Sequence, residues 1–350
     1  MARSKAAVLG LNQGAKIARE FAAHEDVDLV AIAGFGDAAE QVACELNVPL
    51  YADFQDLLNQ TPLDAVAIAL PNQLHLPAVE ASLEAGVRNI LLEKPIASTV
   101  EDGKRIIELC DAAQATLLIG HHRRSSSRYL ALRKVLESGR IGDIVSIQST
   151  YAVAKPHEYF DLEWHTLRSG GPLLLNAIHD FDDINYFAVD LKPTCVFALG
   201  GNSIRGNDTE DAVSALIGYE GGVTATYFIS DGCPSPWNYD LASEEDPRYQ
   251  GRPDENSLKI FGTKGSVCYP HLDIYEHCDG AYGWNHPLKK EHIETEINDP
   301  MASEVAHFVD LCQGREATVR CSGEDALATL KVITAIFDSL DSHQPVVIEK

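Results

Sequence analysis

The sequence predicts two domains of different class. The first is an α/β domain with a doubly wound parallel sheet; the second is an α+β domain with a large, mostly antiparallel open sheet. Three observations point to this. Short apolar runs alternate with helical periodicity as far as residue 120, the first of these runs ends in a glycine turn, and beyond residue 190 strand-like runs follow one another without helices between them. The boundary is drawn after residue 123, giving segments 1–123 and 124–350.

Lys5 to Leu11 (KAAVLGL) reads as a strand, with a turn over Gly10-Leu11-Asn12-Gln13-Gly14 and a helix from Ala15 to Ala23. Backbone N–H groups left bare at such a helix start suit a pyrophosphate. A full GxGxxG would place glycine at Asn12 and Ala15; Gly14 compensates in part, and a plain βα turn has the same outline. The second strand, Val27 to Ala33, is expected to end on an acidic residue that holds the adenosine ribose. Gly34-Phe35-Gly36 stands there instead, and the first carboxylate is Asp37. Between Arg19 and Arg88 there is no lysine or arginine, so a 2′-phosphate would meet no local cation. NAD is therefore expected in preference to NADP. Leu50-Tyr51 forms a short third strand, and Phe54 to Leu58 an amphipathic helix.

The stretch from Leu63 to Pro95 is the centre of the chain. Ala65 to Leu70 is an apolar run suited to a strand covered on both faces, and Pro71-Asn72 stops it. Leu76 to Glu84 has helical spacing with Gly86 as its stop, and a buried strand, Ile90 to Leu92, ends on Glu93-Lys94-Pro95. Parallel strands joined by a helix bring their carboxyl ends to one sheet edge, where open α/β sheets bind ligands. A Glu-Lys pair there is placed for chemistry; a surface ion pair before a turn is the alternative. Ser98 or Thr99 caps a helix to Ala113, and a sixth strand, Thr116 to Gly120, delivers His121-His122-Arg123-Arg124.

Arg128 to Glu137 reads as a helix, Ile144 to Tyr151 as a strand, and Gly171 to Phe187 as a helix carrying His179. Strands follow at Cys195–Leu199, Ala212–Tyr219, Val223–Ser230 and Leu258–Phe261, with a hairpin turn at Glu220-Gly221-Gly222. Asp231 to Asn256 is a long loop, either covering a substrate or partner or simply solvated. Helices at Ala302–Leu311 and Glu324–Leu340 and a strand at Pro345–Ile348 complete the chain.

The formal net charge of −24 opposes binding to nucleic acid and to anionic membranes, and no apolar run approaches the roughly 18 residues of a membrane span. Eight cysteines lie scattered without a CxxC pair, as expected of reduced thiols in the cytoplasm, and no apolar leader precedes the first strand. Neighbouring His121 and His122 point apart, so no metal site is expected.

In order along the chain stand LPNQLHLP (Leu70 to Pro77), LEAGV (Leu83 to Val87), EKP (Glu93 to Pro95) and GHHRR (Gly120 to Arg124). SGRIGD (Ser138 to Asp143) and GGPLLLNAIHDFD (Gly170 to Asp182) follow. With this series the chain resembles the glucose–fructose oxidoreductase and inositol dehydrogenase (Gfo/Idh/MocA) family of NAD(P)-dependent oxidoreductases. The resemblance implies a dinucleotide-binding Rossmann domain over 1–123 and a substrate-binding and oligomerisation domain over 124–350. It also implies a homo-oligomer, dimer or tetramer, that meets through the second sheet. The cofactor would rest on Gly10, Asn12, Gln13, Gly14, Asp37, Leu70, Pro71, Asn72, His75, Glu93 and Lys94.

Hydride transfer from an alcohol carbon requires a group that receives the hydroxyl proton. The resemblance assigns catalysis to Lys94, which bonds the reacting oxygen, and His179, which exchanges the proton, with Pro95 often cis. Lys94, His122, Arg123, Trp164, Asn176 and His179 are expected at the substrate, a sugar, polyol or related cyclic alcohol. One departure stands out: many family members carry aspartate four residues before the histidine, where this chain has Leu175. A dihydrodiol-type dehydrogenase and a catalytically silent NAD-binding regulator are the other functions the same features allow.

Overall fold

A computed structural model describes residues 3–202, 204–246, 249–252, 254–278 and 280–349. The chain divides into two compact units, Met1–Ser125 with Asp299–Leu330, and Ser126–Asn298 with Lys331–Lys350. The segment from Asp299 to Leu330 thus stands with the first unit, a return that no local signal announces.

In the first unit six strands run parallel: β1 (Ser4–Leu9), β2 (Val27–Ala33), β3 (Leu50–Tyr51), β4 (Ala65–Ile68), β5 (Asn89–Glu93) and β6 (Thr116–Gly120). Their order is β3-β2-β1-β4-β5-β6, so the chain winds outward from β1 and then restarts beside it at β4. That reversal makes a crevice at the carboxyl ends of β1 and β4. Helices α1 (Gly14–Ala23), α2 (Asp37–Leu46), α3 (Phe54–Gln60), α4 (His75–Glu84) and α5 (Val100–Ala112) make the crossovers. Local chemistry sets their starts. The Asp53 carboxylate accepts from Gln55 N–H at 2.7 Å to cap α3, and Thr99, rather than Ser98, caps α5 by accepting from Asp102 N–H at 3.1 Å. Every residue of β4 is buried, as its unbroken apolar run requires.

The second unit contains α6 (Ser127–Glu137), α7 (Ile178–Phe187) and the short α8 (Tyr239–Ser243). Its strands are β7 (Ile144–Ala152), β8 (Pro193–Gly201), β9 (Ala212–Tyr219), β10 (Thr224–Ser230), β11 (Leu258–Gly262), β12 (Gly265–Tyr269), β13 (Asp273–His277) and β14 (Leu288–His292). After β14 come α9 (Pro300–Cys312) and α10 (Gly323–Ser342), and the division between units falls inside α10. A last strand, β15 (Val346–Val347), completes a nine-stranded sheet of order β14-β13-β12-β11-β7-β10-β9-β8-β15. Only the β7–β10 pairing in it is parallel. Tyr129 and Leu132 of α6, Phe181, Ile184 and Phe187 of α7, and Ile333 and Ile336 of α10 pack into one core with the buried residues of this sheet. Buried and exposed residues alternate along the middle of β9, which leaves Leu216 on the sheet's open face.

Val305, Phe308 and Val309 of α9 join the core of the first unit, where the Phe308 ring lies 6.1 Å from that of Phe21. Burying a side chain of that size contributes about 2–3 kcal/mol, which is reason enough for the chain to return. The helix expected from Gly171 to Phe187 is present but irregular: Pro172 is already helical, Leu173–Ala177 form a π-turn, and α geometry resumes over Ile178–Phe187. Three strands, β12 to β14, extend the sheet beyond what was expected. The loop from Asp231 to Asn256, of which residues 247, 248 and 253 lie outside the described residues, is anchored rather than loose. Tyr239, Ala242 and Ser243 are buried, and Asn238 donates its side-chain amide to the Ala152 carbonyl at 3.0 Å.

Candidate functional site

In the first unit the site is built on the carboxyl ends of β1, β4, β5 and β6. Gly10 ends β1 with φ +89°, and a Cβ there would lie 2.3 Å from the Ala69 carbonyl oxygen. No other residue fits both constraints. A Cβ on Gly14 would meet Val8 and Ala69 at 2.9 and 3.0 Å, so Gly14 supplies the close helix–strand packing expected of the third glycine in the full pattern. Asn12 and Gln13 between them are exposed at the start of α1. The bare turn and the helix start together fit a pyrophosphate. At the end of β2, Gly36 has φ +83° with open space around it, Phe35 is 88% exposed, and Asp37 stands exposed in the first turn of α2. A carboxylate is therefore present close to the expected position, one element later than the usual strand end.

Leu70, Pro71 and Asn72 follow β4, with Pro71 and Asn72 exposed. His75 is fully buried beneath them. Its Nε2 lies 2.9 Å from the Leu70 carbonyl and its Nδ1 3.0 Å from that of Pro95, and burial lowers its pKa. A neutral ring carries one N–H, so it donates to one of these carbonyls and only abuts the other. His75 thus packs between the ends of β4 and β5.

Glu93 ends β5 buried, and its neighbour on β6 is Gly120, where a Cβ would lie 3.3 Å from the carboxyl group. The Lys94 backbone N–H donates to Glu93 Oε2 at 3.3 Å, and the Lys94–Pro95 peptide is cis, as the resemblance implied. Burial raises the Glu93 pKa, while the charges of Lys94 and Lys16 oppose the rise. Lys94 is half-buried, and so is His122, whose pKa burial pushes down to about 3 with help from Arg123, Lys94, His121 and Lys16. His122 is therefore neutral across the physiological range. Arg123 is buried and Arg124 is held by Asp325 at 2.9 Å. Glu304 of α9 was not foreseen: it is buried, and desolvation and the Glu93 charge raise its pKa well above the ordinary carboxylate range. Its only sequence signal was a carboxylate on the apolar face of a helix.

In the second unit Gly170 and Gly171 open the segment that carries His179. A Cβ on Gly170 would lie 2.1 Å from the Trp164 carbonyl, and one on Gly171 would lie 2.1 Å from Thr209 Oγ1. Glu210 then accepts from the Leu173 N–H at 3.0 Å. Asn176 donates to Tyr151 Oη at 3.0 Å and accepts from Lys155 Nζ at 3.0 Å. Lys155 also pairs with the buried Asp231 at 3.3 Å, and Asp231 is shared with Arg205. Tyr151 in turn donates to Asp240 at 3.1 Å. Burial and the Arg205 charge push the Lys155 pKa down to about 8, against the pull of Glu210 and Asp240. His179 is half-buried on α7, and Trp164 is 47% exposed and packs on His165. Among the candidate substrate residues of this unit, the Asn176 amide is already engaged by its neighbours.

Two family models match the chain. The one described as "Oxidoreductase family, NAD-binding Rossmann fold" matches residues 4–121, and the GFO/IDH/MocA C-terminal domain matches residues 129–268. An inositol 2-dehydrogenase of Rhizobium meliloti is 26% identical over 346 residues, spanning 95% of this chain and 96% of that protein. A D-xylose 1-dehydrogenase (NADP(+)) of Haloferax volcanii is 24% identical, spanning 90% of each. The crystal structure of scyllo-inositol dehydrogenase from Lactobacillus casei, with bound NAD(H) and scyllo-inositol, superposes with a TM-score of 0.78 at 22% identity over 99% of both chains.

Proposed function

The chain belongs to the Gfo/Idh/MocA family of NAD(P)-dependent oxidoreductases, and from that premise we propose that it moves a hydride between a nicotinamide and the CH–OH carbon of a sugar, polyol or related cyclic alcohol. The single observation that supports this most strongly is the placement of Lys94. A half-buried ammonium follows the buried Glu93 on the same sheet edge that carries the glycine turn. The buried Glu93 carboxyl group packs against Gly120 on the next strand, where an added Cβ would lie 3.3 Å from it.

When bound, the nicotinamide supplies the hydride acceptor. The chain's own residues do the rest. The glycine turn from Gly10 to Gly14 holds the pyrophosphate, and Asp37 and Phe35 serve its adenosine end. Lys94 donates to the reacting oxygen and favours the negative charge that develops there as the carbon loses hydride. His179 takes the hydroxyl proton as a base. The C–H electron pair leaves with the hydride, the O–H proton leaves to imidazole, and a carbonyl remains. Leu175 removes the carboxylate that many relatives place before the histidine, so the set of hydroxyls recognised differs from theirs. NAD is preferred over NADP because no lysine or arginine lies between Arg19 and Arg88, although the Haloferax volcanii relative is named for NADP(+). Leu199 and Leu216, each about half exposed on the open sheet face, are where a second copy would bind.

The test is reduction of NAD⁺ and NADP⁺ by the purified chain across a panel of inositols, aldoses and cyclic diols. Turnover on a polyol or aldose is expected. Tight NADH binding without turnover on any panel member would show a silent nucleotide-binding protein instead.

A further inference from the structure

The π-turn over Leu173–Ala177 is an irregular stretch of helix, which groups outside the helix can hold in place. Two contacts do so. At its start Glu210 takes the Leu173 N–H at 3.0 Å, and near its end the Asn176 amide is gripped by Lys155 Nζ and Tyr151 Oη, each at 3.0 Å. The α-helix that carries His179 begins immediately after, at Ile178. We propose that Lys155 is a positioning residue for the reaction: its ammonium clamps Asn176 to Asp231 and so fixes the π-turn that sets the direction of His179. This rests on His179 being the proton exchanger.

The geometry favours a clamp over a contact with substrate. The Lys155 side chain is only 11% exposed, and Asp231 beneath it 2%. Its ammonium is used on Asn176, on Asp231, and on the face of the Tyr159 ring 4.6 Å away. Its own backbone N–H donates to the Asp231 carbonyl at 2.9 Å, so the strand end and the loop that faces it are tied at two levels. The charged and titratable groups around it are Asp231 and Arg205, Glu210, Asp240, Tyr151 and Tyr159. Released from Lys155, the turn would relax toward α geometry. The start of α7, with His179, would then turn by roughly a residue's step, about 100°, relative to the segment before it.

Burial and Arg205 bring the Lys155 pKa down to about 8, so the clamp loses its charge within a measurable range. The experiment compares the parent with Lys155→Met, Lys155→Gln and Lys155→Arg. The readouts are kcat/KM against pH, NADH affinity, and the imidazole resonances of His179 without substrate. Lys155→Met is expected to lose about 10²-fold in kcat, the cost of a misplaced reacting group, with NADH affinity unchanged and the His179 resonances displaced. Lys155→Arg is expected to restore both and to carry activity to higher pH than the parent. Should Lys155→Met fail to fold, Lys155→Gln decides: it cannot titrate, so the parental alkaline limb must vanish. Persistence of that limb in Lys155→Gln, or unmoved His179 resonances in a folded Lys155→Met, overturns the clamp. If the parent oxidises no alcohol, the dehydrogenase function fails by itself, and the His179 resonances still decide the clamp.

Discussion

Nε2 of His75 lies 2.9 Å from the Leu70 carbonyl oxygen, in a pocket where the histidine has no exposed surface. Its Nδ1 lies 3.0 Å from the Pro95 carbonyl, so a neutral ring, with one N–H to donate, sits between the segment after β4 and the peptide after β5. Protonation there would place a charge in the core of the candidate site. The same direction recurs at His122, held down to about 3, and at His307, held down to about 4 chiefly by burial and by the Arg320 charge.

The sign of the resulting acid dependence follows from proton counting. Between its folded pKa and the ordinary value of 6.5, each of these histidines is neutral when folded and protonated when unfolded. The unfolded state binds more protons, so stability falls as pH drops through that window. Glu93 and Glu304 act in the opposite sense, but only above their unfolded value of 4.5, since their folded pKa values are raised. His122→Gln and His307→Gln are therefore expected to move the acid unfolding midpoint to lower pH, read by far-UV circular dichroism. An unmoved midpoint in both would show that neither imidazole is held neutral by the fold.

The adenosine end yields a second prediction. With no basic side chain between Arg19 and Arg88 in the sequence, NADH is expected to bind more tightly than NADPH in fluorescence titrations. Asp37→Ala should narrow the difference, because a carboxylate near the ribose both accepts from its hydroxyls and repels a 2′-phosphate. Tighter NADPH binding by the parent would mean that a cation from elsewhere in the chain reaches this end.

Most of the first unit was legible because its signals are local. Apolar runs such as Ala65–Ile68 are buried on both faces, and Gly10 can be replaced by nothing with a Cβ. What escaped depends on contacts distant in sequence. Strand β14 (LKKEH) is mostly exposed at a sheet edge and has no apolar alternation to read. The return of α9 to the first unit buries Val305, Phe308 and Val309 against that unit's core, with Phe308 beside Phe21, and nothing near these residues announces it. The π-turn is invisible to helical periodicity, and its hydrogen-bond partners Glu210, Lys155 and Tyr151 come from elsewhere in the chain. For the same reason the partners of Lys155 and the burial of Glu304 were not legible. A lysine after a strand and a glutamate on a helix look ordinary until burial and partners are known.

His179 gives the third prediction. Oxidation of an alcohol needs a neutral imidazole to take the proton, so kcat/KM for oxidation should fall on the acid side with a limb that vanishes in His179→Gln. Leu175→Asp, which restores a carboxylate before the histidine, should move that limb to higher pH by favouring imidazolium. If His179→Gln keeps both the limb and the parental rate, the proton is handled elsewhere and the histidine is structural.

Lys94 carries the most weight. The most direct test is steady-state turnover of Lys94→Ala on whichever alcohol the parent oxidises, measured together with its NADH affinity. The expected result is a loss of about 10²–10³ in kcat, with fold and NADH affinity close to those of the parent. A Lys94→Ala chain that binds NADH and retains most of the parental turnover would contradict the assignment of the reacting oxygen to this lysine.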